Sequence, residues 1–388
     1  MKPLKIAYIS GPSFSDVDMS YLSYAQKEMD ITYFVPIFKN GLRGAAFNLH
    51  EHFPKYGIFS AIDTYPELAK FKDIIDLSKF YVINSPATRG WQLQNIWLHI
   101  KLAWALRKYD VIHLTNFPYY YEFFLYFLRK KIILTVHDPI PHSTAACNTT
   151  QIKFNRKLGF RFLKHFIILN HKQKEECIKI NKLHRKHIYE SRLGSYDYLN
   201  IYKIEKNKKD IGNKYILFFG QIASNKGLDI LLPAMLEFHK RMPEVNLIVA
   251  GKGNFSFDIK PFQQLDYIEF RNRFIPDDEL AKLIQESLFV VCPYKDATQS
   301  GVVMSAFAFN KPVIATNVGG FPEQVLHDQY GLIVAPSCIA ELSSAFVDLC
   351  MSPALLNKFE QNIQEARKSG EISWSLISSD MKSIYSSI

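Results

Sequence analysis

The sequence predicts an α/β protein of two doubly wound parallel sheets. Three observations carry this. Short uncharged runs rich in Val, Ile, Phe and Tyr alternate with stretches of helical period. The alternation occurs in two series, parted by the polar, basic stretch Tyr202–Asn213. The length, 388 residues, suits two domains at roughly 100–200 residues each.

In the first series Lys5–Ser10, Ile31–Pro36, Val111–Leu114, Lys131–Val136, Phe166–Leu169 and, more weakly, His187–Glu190 read as strands. Trp97–Lys108, Tyr119–Leu128 and Lys172–Ile180 read as helices between them. In the second, Tyr215–Phe219, Asn246–Ala250, Tyr267–Arg271, Leu288–Pro293, Pro312–Thr316 and Gly331–Val334 read as strands. Leu228–Arg241, Asp277–Glu286, Val302–Phe309 and Ile339–Met351 read as helices. Strands without charge need cover on both faces, which helices of a parallel sheet supply. Each series is then a Rossmann-like domain, the two facing a cleft. In such sheets ligands bind at the carboxyl ends of the strands, where the strand order reverses.

Composition excludes several classes. With 48% hydrophobic and 22% charged residues the chain is neither disordered nor low in complexity. The five cysteines are scattered and form no CxxC pair, which points to a reducing compartment without a disulfide framework or zinc ribbon. The start MKPLKIAYIS lacks the apolar run of a signal peptide. Phe117–Val136, the most apolar stretch, is interrupted by Glu122, Arg129, Lys130 and Lys131. The expected location is cytoplasmic, with a peripheral seat on the inner face of a membrane. Residues 1–200 hold 28 Lys+Arg and 16 Asp+Glu, whereas residues 201–388 hold 19 and 21. Such a basic field attracts phosphorylated substrates, anionic lipid or nucleic acid. No nucleic-acid-reading motif accompanies it, so nucleic acid is not an expected partner.

The second half carries the chemistry. Its first strand runs into Gly220-Gln221-Ile222-Ala223-Ser224-Asn225-Lys226-Gly227 and then a helix. Glycines, a helix start and a lysine make an anion site. Gly251-Lys252-Gly253 lacks the third glycine of a dinucleotide fingerprint. Ser300-Gly301 opens a helix whose amides at Gly301, Val302 and Val303 would face a second anion. Gly319-Gly320-Phe321-Pro322-Glu323 follows a further strand.

These elements, in this order, resemble a GT-B glycosyltransferase of the large retaining family 4. The resemblance is strongest from Tyr215 to Val334 and covers nearly the whole chain. At the C-terminus, Ile372-Ser373-Trp374 and its helix resemble the closing helix that crosses back onto the first domain. The implied division is an acceptor-binding domain at 1–200 joined by 372–388, a linker at 201–213 and a donor-binding domain at 214–371. The implied reaction moves a sugar from a nucleotide diphosphate sugar, UDP favoured over GDP, to a glycan or lipid-linked glycan of a surface polysaccharide or lipopolysaccharide. It needs no cofactor, and no DxD metal motif is evident.

Donor contacts are then expected from Gly220, Gln221, Lys226, Gly251, Gly253, Ser300, Gly301, Val302, Val303, Ser305 and Glu323. Arg273 and Phe274 would hold the base. Acceptor contacts are expected from Gly11, Ser13, Phe14, His113, Asn116 and His142. His137 would meet the transferred sugar or reacting centre, with Asp138 orienting it, or it is a turn histidine capped by Asp138. Asp16 is a further candidate base or acceptor contact. The sequence departs from the family at three points: Gln221 stands for an arginine, and Ala297 and Ser305 stand for two glutamates. The readings that follow are a working variant, an inactive nucleotide-sugar-binding protein, or a sugar-nucleotide 2-epimerase. Finally, Lys153, Arg156, Lys157, Arg161 and Lys164 interleave with Phe154, Leu158, Phe160 and Phe162. Within the basic region 151–192 this suits either an anionic membrane surface or a helix packing its aromatics inward.

Overall fold

A computed structural model describes residues 3–37, 46–47, 55–85, 92–137, 150–169, 174–204, 214–297 and 299–388. It divides into two compact units, Met1–Gly194 with Trp374–Ile388, and Ser195–Ser373.

The first unit runs β1 (Lys5–Ile9), α1 (Ser15–Glu28), β2 (Asp30–Ile37), β3 (Gly57–Ser60), α2 (Ala61–Thr64), β4 (Phe80–Asn84), α3 (Leu93–Leu106), β5 (Val111–Leu114), β6 (Ile132–Val136), α4 (Thr150–Phe162), β7 (His165–Ile168), α5 (Lys174–Asn181) and β8 (His187–Glu190). Its sheet has the order β3-β4-β2-β1-β5-β6-β7-β8. Every pairing is parallel except β3 on β4. The steps β4 to β5, β5 to β6, β6 to β7 and β7 to β8 all run the same way across the sheet. Right-handed crossovers therefore put α3, the segment Tyr120–Leu128, α4 and α5 on one face. There Leu98, Leu102, Leu106, Leu125, Phe160 and Leu163 close over Ile9, Ile112, Leu134 and Phe166. Each such side chain stabilises by roughly 1.5–3 kcal/mol on burial. Tyr120–Leu128, read as an α-helix from sequence, is a 3-10 helix. Six of its nine residues are aromatic, types that form α-helices less readily than Ala or Leu.

The second unit runs β9 (Tyr215–Phe219), α6 (Leu228–His239), β10 (Asn246–Ala250), α7 (Lys260–Gln263), β11 (Ile268–Arg271), α8 (Asp277–Glu286), β12 (Val290–Cys292), α9 (Gly301–Ala308), β13 (Val313–Thr316), α10 (Phe321–Val325), β14 (Gly331–Val334), α11 (Ile339–Met351) and α12 (Pro353–Ser369). Its six parallel strands take the order β11-β10-β9-β12-β13-β14, which reverses between β9 and β12. α13 (Trp374–Ser386) then returns to the first unit and packs on α1. Among the described residues no single helix is long and apolar enough to cross a membrane.

The chain passes between the units at Gly194-Ser195 and again at Ser373-Trp374. The residues just after the first of these points belong to the second unit for a local reason. Asp197–Tyr202 is a 3-10 helix against α8 and α9, with the Tyr196 N–H donating to the Met304 carbonyl at 3.0 Å. Arg367 donates to Asp197 at 2.9 Å from α12.

Candidate functional site

In the second unit the loops after β9, β10 and β12 converge where the strand order reverses. β9 leads into Gly220, and Lys226 precedes Gly227 at the start of α6. Gly227 sits at φ +71°, and a Cβ there would lie 1.8 Å from the Pro293 carbonyl oxygen. Only glycine lets the lysine loop close this tightly onto the strand end of β12. Gly251 repeats the device, at φ +149° and 1.8 Å from the Gly220 carbonyl oxygen. Asn272 braces Gly253 by accepting from its N–H and donating to its carbonyl, both at 3.2 Å.

Lys226 is half-buried, and its Nζ stands 3.8 Å from the centroid of the buried Tyr294 ring. Burial holds its pKa below the ordinary lysine range, opposed by Cys292 and Asp296. The ammonium is thus a partly desolvated cation over an aromatic face, an arrangement that can receive an anion. Tyr294 hydrogen-bonds Ser300, the residue before α9. Gln324 holds Ser300 through its backbone, accepting from the N–H at 2.9 Å and donating to the carbonyl at 3.4 Å. The Ser300 side chain does not cap α9. The first amides of α9 have no Ser300 side-chain cap, an arrangement that can receive an acceptor.

Other predicted donor residues take several places. Val302 lies within 3.3 Å of a Cβ built on Gly220, so the start of α9 adjoins the end of β9. Gln221 is exposed at the mouth of these loops. Ser305 and Ala297 are buried. Glu323 lies in the first turn of α10. Arg273 makes a two-pronged pair with Glu279, at 2.6 and 2.7 Å, which Arg271 joins at 3.0 Å. Its guanidinium is engaged on α8, leaving the half-exposed Phe274 ring as the apolar surface beside it. The structure adds Tyr294, Gln324 and Asn272 to the residues expected from sequence. Tyr294 follows directly from the strand Leu288–Pro293, and that adjacency is the available signal.

In the first unit the loops after β1, β5 and β6 meet. A Cβ on Gly11 would lie 2.7 Å from Asn116 Nδ2, so these two predicted acceptor residues adjoin. The Phe14 and His137 rings stack at 3.9 Å between centroids, 9° from parallel. Ser13 is exposed beside them, and Asp16 lies in the first turn of α1, accepting from the Val17 N–H at 2.8 Å. Asp138 and His142 lie outside the described residues.

His113 requires a correction. Its ring is buried beneath this loop cluster, with Nδ1 2.7 Å from the Tyr385 hydroxyl and Nε2 2.6 Å from Thr135 Oγ1. Both nitrogens are held inside the unit, so His113 is a packing residue and not an acceptor contact. It lines a cavity of about 50 Å³ with Tyr8, His137, Arg192 and Trp374. Beside it Asp18 is buried and accepts from the Tyr8 and Tyr33 hydroxyls at 2.8 and 2.9 Å.

These groups predict a pH response. Burial pushes the Asp18 carboxyl up to about 7. Burial, with His137 nearby, pushes His113 down to about 3. Native Asp18 keeps its proton to higher pH than the unfolded chain, so its contribution is full below about pH 4 and lost by about pH 7. Native His113 stays neutral to lower pH, so its contribution is full above about pH 6.5 and lost on acidification toward pH 3. The two slopes oppose one another between about pH 4 and 6.5. Replacing His113 by Gln removes one of them. In urea titrations its unfolding free energy should gain on the wild type as pH falls through that window, by up to about 1.4 kcal/mol per pH unit. Parallel profiles would sink the assignment.

Residues 213–352 match the family model described as Glycosyl transferases group 1. This is the stretch that holds Lys226 and the starts of α6 and α9. An uncharacterized glycosyltransferase of Methanocaldococcus jannaschii is 28% identical over 172 residues, 44% of this chain and 47% of that protein. The chain spans less than half the length of the first curated relatives it matches. Across the whole chain, the structure of Anabaena HepE in complex with UDP superposes with a TM-score of 0.69 at 18% identity, covering 99% of this chain and 100% of that one. The UDP-GlcNAc 2-epimerase of Neisseria meningitidis bound to UDP-GlcNAc gives 0.57 at 15%, covering 99% and 100%. The two Rossmann-like domains are those of the GT-B fold.

Proposed function

We propose that this chain is a retaining glycosyltransferase that uses a nucleotide diphosphate sugar, with a UDP-sugar favoured over a GDP-sugar. The observation that supports it most is the partly desolvated Lys226 over Tyr294, beside the uncapped start of α9. As the sugar leaves, negative charge grows on the diphosphate. A preorganised cation and backbone amides stabilise that charge without reorganising. Gln221 supplies no charge where an arginine is expected, so Lys226 carries more of this task. Val302, at the Gly220 turn, brings backbone close to the diphosphate. Phe274 offers a face to the base. The acceptor, a glycan or lipid-linked glycan of a surface polysaccharide or lipopolysaccharide, sits against Gly11, Phe14, Asn116 and His137. His137 is positioned there by its stack on Phe14. The reaction proceeds without a metal or cofactor.

The test is a thermal-shift series with UDP, GDP and their sugars, each with and without magnesium. UDP at a hundredfold excess over its Kd should stabilise by about 2.7 kcal/mol, with the same shift in both buffers. A shift with GDP alone moves the donor class. A shift with no nucleotide defeats the enzyme reading. An epimerase is distinguished by product: UDP-GlcNAc inverted at C2 without any acceptor would replace the transferase.

A further inference from the structure

The outer surface of the layer over β5, β6 and β7 is apolar where a solvated surface should be polar. α3 buries one stripe, Leu98, Leu102 and Leu106, and exposes the opposite one. Leu93, Trp97 and Trp104 are 83, 59 and 73% exposed. With Lys101 they share one helical face. Alongside, the 3-10 helix exposes Phe123 and Phe127. Its Tyr126 meets Phe162 of α4 at 5.5 Å between centroids, and α4 exposes Ile152, Phe154 and Phe162 in turn. Phe160 is buried, so α4 contributes only its outer row. A run of exposed aromatics across three adjacent elements marks an interaction surface.

Its charge selects the partner. Residues 92–108, 120–131 and 150–164 hold eleven Lys or Arg against one acidic residue, the largely buried Glu122. A second copy seated on this face by twofold symmetry would set these cations against themselves. An anionic bilayer accepts them in any arrangement, while Trp and Phe settle at the headgroup level. We infer that this face seats the protein on an anionic lipid surface, with α3 lying in the interface. Sequence alone leaves 151–192 open to membrane contact or to packing its aromatics inward; here α3 and the 3-10 helix supply the apolar part and α4 much of the charge. The inference does not rest on the donor site.

The full chain should sediment with vesicles of phosphatidylcholine and phosphatidylglycerol, and far less with phosphatidylcholine alone. Brominated acyl chains should quench its tryptophan fluorescence. Trp97→Ser with Trp104→Ser should weaken partition about ten-fold or more and remove the quenching. Lys153→Glu with Lys157→Glu should weaken partition about ten-fold while keeping residual quenching. Both variants alter exposed side chains only, and unchanged circular dichroism and melting would confirm that they fold. Equal partition onto neutral vesicles, none onto anionic ones, or wild-type binding by the tryptophan variant overturns the inference. So does self-association in ultracentrifugation that the tryptophan variant abolishes.

Discussion

Replacing Lys226 by Met should lower kcat/KM for the nucleotide sugar by about 10²–10³-fold, the usual effect of losing one preorganised charge stabiliser. The apo protein should remain at least as stable as the wild type. The two halves of this expectation have one cause. Burial disfavours the Lys226 ammonium in the native state, as its lowered pKa records. A neutral side chain of similar length removes that cost and keeps contact with the Tyr294 ring. On the proposed reading the fold holds a cation whose burial opposes stability, a pattern expected of a functional site. Thermal melts without ligand and with saturating UDP, alongside turnover, measure both halves. A variant that melts lower without ligand but keeps its UDP shift would make Lys226 structural. A variant that turns over normally would move the leaving-group charge to the α9 amides alone.

Most strands of both sheets are legible in the sequence because they are largely uncharged β-branched or aromatic runs, a local property. The glycine-lysine turn is legible for a similar reason: Gly227 answers to one backbone position. α1 is not. Its buried face includes Ser15, Asp18 and Ser20, so polar residues that point inward break the apolar period. The β3–β4 pair escapes because it is antiparallel and joined through α2 and short 3-10 turns, outside the strand–helix alternation. α12 carries a plain pattern, with Phe359, Ile363 and Ala366 buried, although it is not among the helices read from sequence. At the sites, residue type is legible and partnership is not. His113 looks like a strand-end ligand until Tyr385, 272 positions away, is found on its Nδ1. Arg273 looks like a free cation until Glu279 closes on it. Such pairings depend on packing between elements, which local pattern does not contain.

Replacing Trp374 by Ala should cost about 3–5 kcal/mol of stability, the range for truncating a large buried aromatic. The indole is 3% exposed and lies against the backbone of Gly194, where a Cβ would come within 2.6 Å of Cε2. It also approaches the Tyr21 ring of α1 at 6.0 Å. With Ile377, Met381 and Tyr385 it forms the inward stripe of α13. Tyr385 extends that stripe as a polar chain: its hydroxyl meets Tyr21 at 3.1 Å and His113 at 2.7 Å, and His113 meets Thr135. Loss of the indole enlarges the cavity that Trp374 and His137 share, so the cavity term adds to the lost transfer energy. Trp374→Phe, which keeps an aromatic ring there, should cost distinctly less. None of the proposed donor contacts among the described residues lies on α13, so the UDP shift should survive in both variants. Urea unfolding of the two, each with and without UDP, decides the matter. A cost under about 1 kcal/mol for Trp374→Ala would mean that α13 adds little to the first unit. A large cost accompanied by loss of the UDP shift would mean that the two sites depend on one another through this helix.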